Sequence, residues 1–158
     1  MTAKVQAIPS NSRGVIPSLC VRGADKAIAF YVKAFGAKEL YRLVEPSGKV
    51  GHAEIEIAGG MIMLSDEYPD HGALSPATVG GTPVRLHIYV EDVDAVVSRA
   101  VEAGAKLTGP VEDQFYGDRL GMVEDPFGHK WYVATHKVDV SPEEMQKHWD
   151  ESLKAGKA

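Results

Sequence analysis

Three side chains that could hold a metal ion or move a proton stand out in this sequence: His52, Glu54 and His87. His52 and Glu54 are two residues apart in a segment that alternates polar with apolar residues, so a strand would place both on one face. His87 lies between Arg85 and Tyr89 in a second segment of the same kind, and these three would also share a face. Two imidazoles and one carboxylate can form a site for a divalent ion such as Zn, Ni, Mn or Fe, provided that the fold brings the two strands together.

The same segments could instead bind an organic molecule directly. Tyr89 and Tyr132 offer ring faces and phenol hydroxyls that suit a flat or partly apolar ligand. Arg85 could pair with an anionic group of a ligand, or with Glu54 or Glu56. The candidate ligand-binding residues are therefore His87, Tyr89, Tyr132, His52, Glu54 and Arg85. The alternative is ordinary core packing for the tyrosines and a solvated edge strand for the carboxylates.

Composition excludes several other classes of protein. The 158 residues include 17 basic and 22 acidic ones, for a net charge of −5, and no basic run is present that would follow a phosphate backbone. Nucleic acid is therefore not an expected partner. Polar residues near the N-terminus and the lack of a long apolar segment predict a soluble cytoplasmic protein with no membrane span. Cys20 is the only cysteine, which rules out an internal disulfide and a thiolate-cluster metal site.

An internal repeat indicates how the candidate residues are positioned. Residues 15–25 can be laid over residues 84–94, and after one gap the segment 36–38 falls on 104–106. The offset is about seventy residues, which is long enough for one supersecondary unit in each copy. Position by position, Ser18 corresponds to His87 and Cys20 to Tyr89.

Periodicity predicts a strand, a helix and three further strands in each copy. The first copy is predicted as strand 16–21, helix 25–35 ending at Gly36, and strands 39–44, 52–57 and 61–65. The second is predicted as strand 85–90, helix 92–103, and strands 106–111, 120–124 and 130–135. Asp125-Pro126-Phe127-Gly128 has the residue preferences of a type I turn, so it is expected to form the last hairpin. Residues 67–83 between the copies show no periodicity, and they could form either a lid over a site or a solvated tether.

The tail is predicted to form a separate helix. Ser141, Pro142 and Glu144 provide an N-cap, a proline in the first turn and the glutamate of a capping box. Three apolar residues at four-residue spacing, Met145, Trp149 and Leu153, give this helix one apolar stripe. The stripe is expected to pack either on its own domain or on a second subunit.

The two-copy pattern resembles the vicinal oxygen chelate superfamily, which includes glyoxalase I, bleomycin-resistance proteins and extradiol dioxygenases. The resemblance covers residues 15–136 and is carried by Ile28-Ala29-Phe30-Tyr31, by the run from Leu86 to Asp94, and by Glu124-Asp125-Pro126-Phe127-Gly128-His129. It implies an α+β fold of two βαβββ modules, 15–66 and 84–136, joined by loop 67–83 into one domain. Their curved mixed half-barrels would enclose a cavity, with an N-terminal segment at 1–14 and a C-terminal helix and tail at 137–158.

The resemblance also implies where a metal would bind. Relatives with a metal carry ligands on the first and fourth strand of each module, and these positions are predicted here to be Ser18, Leu64, His87 and Tyr132. Only His87 is a usual ligand, so no metal cofactor is expected. The leading hypothesis is a homodimeric protein that binds a small organic molecule in the cavity. The alternatives are a metal-dependent lyase, isomerase or dioxygenase with a rearranged site at His87, His52 and Glu54, and an assembly protein with a collapsed cavity.

Overall fold

Two units with the same order of elements follow one another along the chain, the first ending at Gly81 and the second beginning at Thr82. The computed structural model describes residues 5–156. Residues 1–4 and 157–158, which belong to the predicted N-terminal segment and tail, lie outside that range. No helix in the described range is long and apolar enough to cross a membrane.

The first unit contains a four-stranded mixed sheet. Its elements are β1 (Ser18–Val21), α1 (Ala24–Phe35), β2 (Lys38–Val44), β3 (Val50–Ile57) and β4 (Gly60–Asp66). The strand order is β1-β4-β3-β2, with β1 parallel to β4 and the other neighbours antiparallel. Ala53 and Ile55 are fully buried on the side of the sheet that packs against α1, whereas His52 and Glu54 are only half-buried. The two-residue period of the sequence predicts this division because successive side chains of a strand point to opposite faces.

The second unit repeats this topology. Its elements are β5 (Arg85–Tyr89), α3 (Val93–Glu102), β6 (Lys106–Asp113), β7 (Asp118–Glu124) and β8 (Lys130–His136), and the strand order is β5-β8-β7-β6. The predicted α+β fold and element order are confirmed in both units, with element ends within two residues of the predicted ones. Each sheet is open, since its first and last strands are not paired with each other.

A buried carboxylate organises the last hairpin. The N–H of Gly128 donates to the carbonyl of Asp125 at 3.1 Å, as expected for the predicted turn. The Asp125 side chain accepts from the backbone N–H groups of Phe127 and His129, and its second oxygen accepts from the indole of Trp131 at 2.9 Å. Trp131 is completely buried. The carboxylate therefore satisfies a polar group that the core would otherwise leave without a partner.

The segment between the repeated elements contains structure that the sequence did not predict. A short 3₁₀ helix spans Pro69–His71, and helix α2 spans Pro76–Val79. Both are a single turn or less, which is too short to produce a hydrophobic period of 3.6 residues.

Glu67 anchors this segment at its start. Its carboxylate accepts from the backbone N–H and the hydroxyl of Ser75, from the hydroxyl of Thr78, and from Arg22 at 3.2 Å. The hydrogen bond from Thr78, followed by those from Ser75, lowers the pKa of Glu67 to about 2. The first turn of α2 is thus tied to the end of β4. Whether residues 67–83 act as a lid stays a prediction.

The predicted tail helix is present as α4 (Pro142–Lys154). Ser141 and Glu144 form the expected capping box, with two reciprocal hydrogen bonds of 3.2 Å. Trp149 packs against the ring of Phe115 in the loop between β6 and β7, at 5.9 Å between centroids. The stripe therefore packs partly on its own unit, although Leu153 remains 52 % exposed. Packing on a second subunit stays a prediction.

Candidate functional site

Four of the six candidate ligand-binding residues lie together on one face of the second sheet. Arg85, His87 and Tyr89 alternate along β5, and the parallel pairing with β8 sets Arg85 beside Lys130 and His87 beside Tyr132. This is the side of the sheet opposite α3, and we call it the distal face of the second sheet. The other face carries the buried Ile88, Val123, Trp131 and Val133.

The aromatic side chains of this face form a row. The ring of His87 lies 4.9 Å from that of Tyr89 and 6.1 Å from that of Tyr132, in the second case edge to face. At the far end, the guanidinium carbon of Arg85 lies 5.6 Å from the centroid of Tyr132. Tyr89 is 55 % exposed. Such a row offers stacking and edge contacts to a planar molecule, with a cation at one end.

The opposite end of the row contacts a buried carboxylate. The hydroxyl of Tyr89 donates to Asp118 at 2.7 Å, and Asp118 is only 4 % exposed. Nδ1 of His136 is 2.7 Å from the other oxygen of Asp118, and Nε2 of His136 is 2.9 Å from Asp139. Hydrogen bonds with Asp139 and then Asp118 raise the pKa of His136 above 6.5. An imidazole between two carboxylates donates through both nitrogens only when it is protonated, which favours the charged form.

Neither Asp118 nor His136 is among the site residues predicted from the sequence. The sequence does contain a pattern that points to Asp118, because Asp118, Leu120 and Met122 alternate along β7 and share a face with Tyr132. The pairing of Asp118 with His136, however, depends on the antiparallel register of β7 and β8. Asp118 holds the hydroxyl of Tyr89, so it positions one end of the aromatic row.

The stability of the second unit is expected to depend on pH through His136. Because the folded-state pKa is raised, the contribution of the imidazolium is complete below pH 6.5 and is lost as the pH rises through that raised pKa. The free-energy difference between the wild type and His136→Gln should therefore shrink as the pH increases above about 6.5. Urea denaturation across this range would measure it. His71→Gln, at an exposed position at the end of the 3₁₀ helix, is the control, and a difference that does not vary with pH would contradict the expectation.

The other two candidates, His52 and Glu54, lie in the first unit on the face of its sheet opposite α1. The hydroxyl of Tyr41 donates to Glu54 at 3.0 Å, and Nε2 of His52 is 3.5 Å from the same oxygen. The rings of Tyr41 and His52 are 5.7 Å apart. The hydrogen bond to Glu54 raises the pKa of Tyr41. Glu54 is thus engaged by two neighbours of its own sheet.

The prediction that Leu64 corresponds to Tyr132 is wrong. Ser18 pairs with Met63, whereas its repeat counterpart His87 pairs with Tyr132. Met63 is therefore the structural counterpart of Tyr132, and Leu64 faces the core, where it is 1 % exposed. The two hairpins differ in length, since β3 and β4 are joined by residues 58–59 and β7 and β8 by residues 125–129. Aligning their glycines shifts the register by one residue, which moves a side chain to the other face.

The residues at the four positions where the family resemblance implies metal ligands do not fit a catalytic divalent ion. With the corrected register they are Ser18, Met63, His87 and Tyr132, which supply a hydroxyl, a thioether, an imidazole and a phenol. Catalytic Zn, Mn and Fe sites are usually held by several imidazole, carboxylate or thiolate ligands, and these four positions supply one imidazole. Within residues 5–156, no group of three or more His, Cys, Asp or Glu side chains is arranged to hold a metal ion. His52 and Glu54 belong to the first unit and His87 to the second.

The two successive βαβββ units define a class of protein, and comparison with known proteins places the chain within it. Residues 15–133 match the model of the Glyoxalase/Bleomycin resistance protein/Dioxygenase superfamily, and the chain belongs to this superfamily. An uncharacterized protein of Mycobacterium tuberculosis is 46% identical over 133 residues, which are 82% of this chain and 78% of that protein. Because 133 residues are more than either unit contains, the sequence similarity to this protein includes parts of both units.

Two solved structures illustrate the likeness of the fold. The crystal structure of TioX from Micromonospora sp. ML1 is similar with a TM-score of 0.61 and 27% identity, covering 82% of this chain and 100% of that one. The fosfomycin resistance protein FosX from Listeria monocytogenes, solved with Mn(II) and sulfate, has a TM-score of 0.60 and 19% identity, covering 85% and 98%. The second likeness concerns the fold alone. The fold hosts different chemistries, so function must be argued from the residues.

Proposed function

We propose that this protein binds a small organic molecule on the distal face of the second sheet, without a divalent metal at the positions that metal-dependent relatives use. The observation that carries the proposal is the row formed by Tyr89, His87 and Tyr132. Aromatic side chains on a sheet normally gain stability by burial, yet Tyr89 is 55 % exposed and His87 is also exposed. A planar ligand would cover surface that the fold leaves accessible.

The chemistry of the row supports binding rather than nucleophilic catalysis. The hydroxyl of Tyr89 is already donated to Asp118, and this hydrogen bond raises the pKa of the tyrosine, so the phenol stays protonated at neutral pH. His87 contacts aromatic rings on both sides and contributes an edge that can donate or accept one hydrogen bond. These groups suit the orientation of a ligand by stacking and a few hydrogen bonds.

Replacing His87 by alanine is expected to weaken the binding of a flat organic ligand by about tenfold, since the middle ring of the row is lost and about 1.4 kcal/mol of contact energy with it. The fold should be retained, because His87 is exposed. Ligands would be found by screening planar aromatic fragments with ligand-observed NMR, and affinities would be measured by calorimetry. Wild type and His87→Ala, incubated with Zn, Ni, Mn and Fe(II) and then desalted, should both retain far less than stoichiometric metal.

His71→Ala is the matched control, because it removes an exposed histidine from the first unit. Its ligand affinity should equal that of the wild type. Unchanged affinity in His87→Ala would contradict the proposal. Near-stoichiometric metal in the wild type that is absent from His87→Ala would instead favour a metal-dependent lyase, isomerase or dioxygenase.

A further inference from the structure

Two cations lie side by side at one end of the aromatic row. Arg85 on β5 and Lys130 on β8 are register partners, and both side chains project from the distal face. Neighbouring strands are about 4.8 Å apart, so the two charged groups can reach a common point above the sheet. Like charges directly opposite each other destabilise a sheet. An anion placed between the two cations would relieve their repulsion.

The described part of the second unit, residues 82–156, supplies no such anion. Arg22, Arg42 and Arg119 each have a carboxylate within 3.2 Å. Within residues 82–156, by contrast, neither Arg85 nor Lys130 forms an ion pair. The nearest carboxylate in the register belongs to Glu124 on β7, which is opposite Lys130 but makes no ion pair with it.

Arg85 is also placed against an aromatic surface. Its guanidinium carbon lies 5.6 Å from the ring centroid of Tyr132, and the ring of His87 meets Tyr132 edge to face. Contact with a ring face restricts the motion of the guanidinium group, while its N–H groups can still donate hydrogen bonds to a ligand. A planar guanidinium matches the two oxygens of a carboxylate.

We propose that Arg85 and Lys130 form an anion subsite, so that the ligand is a planar aromatic or heteroaromatic molecule bearing a carboxylate or a similar anionic group. The anionic group binds between the two cations, and the ring lies along Tyr132 and His87. This inference rests on the proposed function, since it names the class of ligand for the same face. It predicts that the negative charge of a ligand, and not its shape alone, determines how tightly the ligand binds.

The test compares two probes of nearly the same shape, 2-naphthoate and its neutral amide 2-naphthamide, in calorimetric titrations at low salt. Wild type should bind the naphthoate about tenfold more tightly than the amide, as expected for one charge-assisted contact. Arg85→Gln should reduce this preference, because Lys130 is then the only cation beside the anionic group, and should leave the affinity for the amide nearly unchanged. Arg85→Lys should keep part of the preference, because it retains the charge without the planar fork.

Lys106→Gln is the matched control, since Lys106 lies in the same register row on β6, opposite Glu124 and away from Tyr132. It should not alter the preference. Circular dichroism would verify that each variant is folded. If Arg85→Gln does not fold, Lys130→Gln tests the subsite through the second cation. Equal affinity of wild type for the two probes would overturn the anion subsite and leave the proposed function intact. Binding of neither probe to wild type would overturn the anion subsite, and failure of the planar aromatic fragment screen as well would overturn the proposed function.

Discussion

Gly117→Ala is expected to lower the free energy of unfolding by about 3 kcal/mol or more, through backbone strain and overpacking combined. Gly117 has a φ of +100°, and a Cβ at this position would overlap the backbone carbonyl oxygen of Val138. The backbone N–H groups of Lys137 and Val138 both donate to the carbonyl of Gly117, at 2.9 and 3.0 Å. The new methyl group would therefore meet backbone that is held in place, and not the end of a flexible side chain.

Gly48→Ala separates the two causes. Gly48 also has a positive φ, +88°, but an added Cβ would meet no atom within 4 Å. Its substitution should cost about 1 kcal/mol, from backbone strain alone. Urea denaturation of both variants measures the difference. Equal losses would contradict the prediction and would show that the segment after β8 moves away at little cost.

The second large effect is expected at Asp66, whose replacement by alanine should lower the free energy of unfolding by about 3 kcal/mol. One oxygen of this carboxylate accepts from the backbone N–H groups of Gly23 and Ala24 at the start of α1, at 2.9 and 3.0 Å. The other accepts from the N–H of Val50 in β3 at 2.8 Å. Asp66 is 9 % exposed, so water cannot readily replace these bonds. Alanine would leave three backbone donors without partners.

Asp66→Asn should give a smaller loss, because one oxygen can still accept from the start of α1 while the amide group faces the N–H of Val50. Asp70→Ala, at an exposed position four residues later, is the control and should change stability little. Thermal or urea unfolding followed by circular dichroism would measure all three variants. A loss in Asp66→Ala no greater than in Asp70→Ala would refute the assigned role.

Much of the fold could be predicted because its signals are local. Alternation over 52–57 and 85–89 separates buried from polar positions, since a strand has a period of two residues. Gly36 ends α1 with a φ of +67°, and the Ser141 capping box begins α4, both through contacts within a few residues. The grouping of Arg85, His87 and Tyr89 on one face follows from the same alternation.

The sequence by itself determined the order of the elements, the repeat and the two faces of each strand, because these depend on spacing along the chain. Only the tertiary structure decided the partners across strands: Met63 rather than Leu64 opposite Ser18, Lys130 beside Arg85, and His136 beside Asp118. Strand register depends on hairpin length and on packing between distant residues, and a shift of one residue reverses every side chain. The charges and hydrogen bonds of the candidate site arise from these pairings, so local sequence patterns do not contain them.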